Sequence, residues 1–209
     1  MDKNQQYIAI GLIVLAVLLV VFSGGTNKFN YELPDFGLNE EAQDDFQFAL
    51  DSGAEGLAWN PDVTLRALTM IDGSRPLGEW ELRRITVFGL PDNSAQYLVK
   101  ATSDGRFIPV EYETTVVDVG NTLDLSEFKV SSQKAFDKAH KKARGIEANP
   151  DDKVTINLTL IDDNGRLVWN YLLIVQRANF EEGEPAGEVL FVTMDARSGR
   201  ILNKQRENL

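Results

Sequence analysis

Apolar and polar residues alternate without a break from Val154 to Leu160: Val154, Ile156, Leu158 and Leu160 are apolar, and Thr155, Asn157 and Thr159 between them are polar. Successive side chains of a strand point to opposite faces, so this pattern predicts a strand with one face buried and one wet. Asp162-Asp163-Asn164-Gly165 follows, and Asn-Gly is the pair that closes a tight hairpin. Leu167 to Val175 is apolar on both faces, as a central strand is, and Val189 to Met194 reads as the last strand after a polar loop over Phe180 to Gly187. Upstream the spacing becomes helical. Ala135, Phe136, Ala139 and Ala143 share one face, Lys134, Lys138, Lys141 and Lys142 face water, Ser131-Ser132 caps the start and Gly145 the end. The second half therefore reads as a helix followed by three antiparallel strands.

The first half gives weaker signals in the same order. Asn39-Glu40-Glu41 is a helix start, with Ala42, Phe46, Ala49 and Leu50 on one face and Gly53 closing the pattern. Asn60-Pro61-Asp62 predicts a second helix, with Leu65, Leu68 and Ile71 as its stripe. Strands are expected over Trp80–Phe88, Gln96–Thr102 and Phe107–Val117, and Leu123–Val130 as an irregular connector. Tyr7 to Phe22 is different from all of these: sixteen residues without a charge or strong polar group. A helix of that length covers about 24 Å, short for a hydrocarbon core of about 30 Å but workable if the bilayer thins. It is longer than the usual apolar core of a signal peptide, which favours a retained anchor. With only Lys3 before it, the positive-inside rule puts the N-terminus in the cytoplasm and the remainder outside. Gly24, Gly25, Pro34 and Gly37 mark a tether.

Composition excludes more than it suggests. The 209 residues hold no cysteine and a single histidine, His140, which removes thiolate chemistry, sulfur-bound metals and most histidine-based metal sites. The net charge of −11 argues against a nucleic-acid partner. Residues 131–209 are electrically neutral, so the acidic excess lies in residues 1–130, where nine acids and no base stand between Lys28 and Arg66. That stretch is a solvated acidic face, or a docking surface for a basic partner.

One cluster looks chemical at first sight: Asp195-Ala196-Arg197-Ser198-Gly199-Arg200, an acid, a base and a hydroxyl close together. Asp at a strand end can accept backbone N–H bonds from a following turn, Gly199 supplies positive φ, and Ile201-Leu202 return to the core. Nothing orients Ser198 as a nucleophile, so this is a turn. His140 is expected at the surface or the boundary, and Asp162-Asp163-Asn164 as hairpin rather than calcium loop. Trp59, Trp80 and Trp169 are expected in the core, and Arg83-Arg84 to pair with neighbouring carboxylates. Asn157-Leu158-Thr159 matches a glycosylation sequon inside a strand and is read as accidental. No catalytic, cofactor-binding or metal-ligating residue is assigned, and no cofactor.

The helix "SSQKAFDKAHKKA", the strands that follow and the ending in which Asp195, Ala196, Gly199, Ile201 and Leu202 match the closing pattern resemble the PepSY domain, over about residues 127–204. The resemblance implies an exported or membrane-bound, non-catalytic module of the kind found in propeptides and regulators of secreted peptidases. The expected fold is α+β: a single transmembrane helix, then two helix-plus-antiparallel-sheet units. The expected boundaries are 1–25 for the anchor, 26–38 for the tether, 39–126 for an acidic unit and 127–209 for the PepSY-like unit. The expected role is an accessory subunit of a membrane protein complex. Its partners would be integral membrane subunits, met through the N-terminal helix and the exported domain, and the lipid bilayer. The alternative is an inhibitor or regulator of an extracytoplasmic peptidase.

Overall fold

The computed structural model describes residues 33–75, 80–92, 96–101, 106–112 and 121–209. The anchor expected at Tyr7–Phe22 lies outside them, and among the described residues no helix is long and apolar enough to cross a membrane. The elements in chain order are helix α1 (Ala42–Trp59), strands β1 (Thr64–Arg75), β2 (Glu81–Gly89), β3 (Gln96–Ala101) and β4 (Phe107–Tyr112), helix α2 (Ser132–His140), and strands β5 (Lys153–Asp162), β6 (Leu167–Gln176), β7 (Gly187–Asp195) and β8 (Ile201–Asn208).

The expected fold class is corrected by the sheet. All eight strands form one antiparallel sheet in the order β4-β3-β2-β1-β5-β6-β7-β8. β1 pairs with β5 from Ala67↔Ile161 to Arg75↔Val154, so the halves share a hydrogen-bonded ladder and are not two packed units. The reason lies in β1, which was expected to be a helix. Pro61-Asp62 instead makes a turn after α1, held by Asp62 N–H donating to Asn60 Oδ1 at 2.9 Å. Beyond it Arg66, Ala67, Leu68, Thr69, Met70 and Ile71 are all buried. A central strand buries both faces, and apolar residues at 65, 68 and 71 then imitate helical spacing by coincidence. α1 runs past Gly53 to Trp59.

Both helices lie on one face of the sheet. Thr86 of β2 donates to Ser52 of α1, and Tyr171 of β6 meets His140 of α2. The cross-strand pairs Thr86↔Leu68, Leu68↔Leu160 and Leu160↔Trp169 put all of these on the same side. The core fills that side: Leu68, Met70, Val154, Ile156, Leu158, Leu160, Trp169, Tyr171, Leu173, Val175, Leu190, Val192 and Met194 are buried beneath Ala135, Phe136, Ala139 and Ala143. Of the tryptophans described, Trp169 donates from its indole N–H to the Val130 carbonyl at 2.8 Å, and Trp80 packs edge-on against Phe36.

The described part of the tether is fastened down. Phe36 also packs on Phe136, with ring centres 5.2 Å apart, and its carbonyl accepts from Arg84. The Asn39 N–H donates to Ser132 Oγ at 3.0 Å, and the Asn39 carbonyl accepts from the Gln133 N–H. β8 was not expected as a strand: Leu-Asn-Lys-Gln-Arg-Glu-Asn carries no alternation, because β8 is an edge strand wet on most sides.

Candidate interaction face

The stretch Asp195–Gly199 is a turn. Asp195 Oδ1 accepts from the Ser198 N–H and hydroxyl, each at 2.7 Å, and from the Arg197 N–H at 3.2 Å. Gly199 has φ +69° and donates to the Asp195 carbonyl. The Ser198 hydroxyl is the main reason the Asp195 carboxyl sits below the usual carboxylate range, with Arg166 adding a 3.5 Å ion pair. The hydroxyl donates to the acid, and its oxygen accepts from the Arg200 N–H at 3.3 Å, so it is built into the turn. Asn164 and Gly165, at φ 55° and 84°, close the hairpin with reciprocal bonds between Asp163 and Arg166. Asn157 sits inside β5 and accepts from Thr159. Among the described residues no cluster of three acids or histidines could hold a metal ion.

His140 is placed differently from the expectation. Its ring is buried, stacked on Phe136 with centres 5.0 Å apart, and its Nδ1 lies 2.6 Å from the Tyr171 hydroxyl. Burial pushes its pKa down to about 4, against a smaller opposing pull from Asp137. A neutral imidazole hydrogen-bonded to a phenol closes the α2–β6 contact. In the sequence Lys138, Lys141 and Lys142 stand beside it, which suggested a wet or boundary position. The missing signal was that His140 follows Phe136 by one helical turn and so shares the buried face.

Polar groups of α1 also anchor it to its surroundings. Asp45, fully buried, accepts from the Ser132 N–H and hydroxyl, each at 2.7 Å, and from the Asn39 amide at 3.0 Å. The carboxylate thus serves the first turn of α2 from the neighbouring helix, where unsatisfied N–H groups collect. Burial raises its pKa, and the Ser132 bonds oppose that rise. Arg84 stands over the Phe48 ring, and charge attraction to Asp45 and Asp35 partly offsets the lowering by burial. Arg83 reaches Glu81 at 3.9 Å.

What the sheet places together is its other face. Among the described residues no helix covers it. Across it runs a row of hydroxyls and amides: Thr69, Thr159, Asn170, Thr193 and Asn203, each opposite the next. Thr159 donates to Asn157 at 2.7 Å, so Thr69, 2.9 Å away, donates to Thr159; Thr193 donates to Asn170 at 3.0 Å. Beside this row Leu172 pairs with Phe191 and Ile174 with Val189, four apolar side chains in one patch, each partly exposed. The sequence signalled this patch in the two-faced apolar run of β6, read there as burial on both sides. A contiguous apolar patch rimmed by polar groups is what a protein interaction surface offers.

No known family profile matches the chain, so PepSY membership is not shown, and no curated protein matches either. Among solved structures the chain is similar to a candidate lipoprotein from Clostridium difficile 630. The identity is 15% and the TM-score 0.47, over 76% of this chain and 91% of that one.

Proposed function

We propose that this chain is a non-catalytic accessory subunit of a membrane protein complex, and that it docks on its partner through the helix-free face of the sheet. The observation that supports this best is the Leu172, Ile174, Val189 and Phe191 patch beside the Thr–Asn row. Apolar groups in the middle supply the driving force on docking, and the amide N–H groups of Asn157 and Asn170 beside them supply register. The apolar run Tyr7–Phe22 favours an exported domain held at a membrane, and so a partner that is itself a membrane protein. The turn chemistry at Asp195 and the buried His140–Tyr171 pair each have a structural role, which supports a binding module over an enzyme.

The test is extraction of native membranes in mild detergent, followed by native mass spectrometry. The accessory-subunit reading expects this chain in stoichiometric amounts within a defined assembly of integral membrane proteins. Migration as the free chain contradicts it. Co-migration with a peptidase alone would favour the second reading, a peptidase regulator, for which the exposed edge strand β8 speaks.

A further inference from the structure

The two edges of the sheet are unlike. β4 carries Pro109 in its middle, and proline removes a ladder donor. β8 carries none, and Asn203 to Asn208 are exposed throughout. The Leu209 N–H bonds to the Gly187 carbonyl, and hydrogen-bonded pairs alternate along an antiparallel ladder. Gln205↔Phe191 and Asn203↔Thr193 are therefore bonded pairs, and the N–H and C=O groups of Lys204 and Arg206 point away from β7. The Lys204 and Arg206 side chains rise on the helix side, because their partners Val192 and Leu190 face the core.

On that side the edge is basic. Arg206 donates to the carbonyls of Arg144 and Gly145, which brings the end of the α2 segment against β8. At the other end the Lys138 amine lies against Gly199. Lys138, Lys204 and Arg206 thus stand along one ledge between α2 and the open edge, with Lys141, Lys142 and Arg144 on the turn that follows α2 and meets β8, and all six are exposed. Glu188, an acid on the same side of β7, is already engaged by the Arg206 guanidinium. A second copy fits poorly: antiparallel pairing of β8 with itself about Gln205 sets Lys204 opposite Arg206, and like charges directly opposite are destabilising.

We propose that β8 accepts, as a ninth strand, an extended segment of a partner protein with acidic side chains at alternate positions. The main-chain groups of Lys204 and Arg206 supply the ladder, and the ledge of α2 reads the acids. This site stands apart from the helix-free face and does not depend on it.

The test uses the full chain in detergent micelles and two labelled heptapeptides, one alternating threonine and glutamate, the other threonine and lysine. At low salt the glutamate peptide should bind at least about tenfold tighter, a difference that salt screens. On binding, the Lys204 and Arg206 amides should exchange more slowly, while that of Gln205, already in the ladder, stays unchanged. Lys204→Glu and Lys142→Glu, both at exposed positions, should each reduce the preference with the melting temperature unchanged. Equal affinity for the two peptides overturns the proposal. So does glutamate-peptide binding that leaves the Lys204 and Arg206 amides unprotected.

Discussion

The two helices on the sheet are built in opposite ways. α2 buries Ala135, Phe136, Ala139 and His140 and turns its lysines to water, as an amphipathic helix should. α1 buries Asp45, Ala49, Ser52 and Gly56, while Phe46, Leu50 and Leu57 are 37%, 50% and 57% exposed. Its orientation is set by polar anchors and close approach: Asp45 is held by Ser132 and Asn39, Ser52 accepts from Thr86, and Gly56 lies on the Phe88 ring. A helix this close to a sheet has room only for small side chains, so the bulky ones are left outside. One helix is held mainly by apolar burial, the other mainly by hydrogen bonds and shape.

If that contrast is right, truncating α2 should be the most damaging change. Phe136→Ala removes a buried ring that touches Phe36, His140 and Tyr171, and should cost about 3–5 kcal/mol in urea unfolding. The titratable groups of the two helices should then respond to acid with opposite sign. His140 has a folded pKa of about 4 against 6.5 in the unfolded chain, so stability is lost as pH falls from 6.5 towards 4, by about 3 kcal/mol at most. Asp45 is raised above 3.8 when folded, so protonation at low pH favours the folded state. The His140 part should vanish in His140→Gln, measured as the difference in urea midpoints between pH 7 and pH 4.5. A slope unchanged by that substitution would show that the ring is not buried neutral.

Smaller effects test α1. A Cβ at position 56 would stand 2.9–3.0 Å from three atoms of the Phe88 ring, so Gly56→Ala should destabilise by about 1–3 kcal/mol despite the better helix propensity of alanine. Leu50→Ser with Leu57→Ser should shift stability by no more than about 0.5 kcal/mol each, since both side chains are already half in water. A loss of several kcal/mol in that double variant would mean that α1 is seated by its outer stripe after all.

The same contrast explains what could be read in the chain. β5, the helix α2 and the Asn164-Gly165 hairpin obey one periodicity each, and each has a single buried face, so alternation and spacing located them. α1 gave a misleading stripe because its inner face is small and polar. β1 looked helical because a strand central to the sheet has no wet face to punctuate it. β8 was invisible because an edge strand needs few apolar residues. The helix-free face was half legible: Leu172, Ile174, Val189 and Phe191 stood out as apolar, but only the one-sided placement of both helices shows which face they occupy.

The measurement that bears most directly on the proposed role is native mass spectrometry of membranes expressing Phe191→Glu beside the unaltered chain. Phe191 is partly exposed on the uncovered face, so the variant should fold with a similar melting temperature. Docking through that face predicts that the unaltered chain runs within a membrane assembly and the variant runs free. An assembly that retains the variant in full stoichiometry would contradict it.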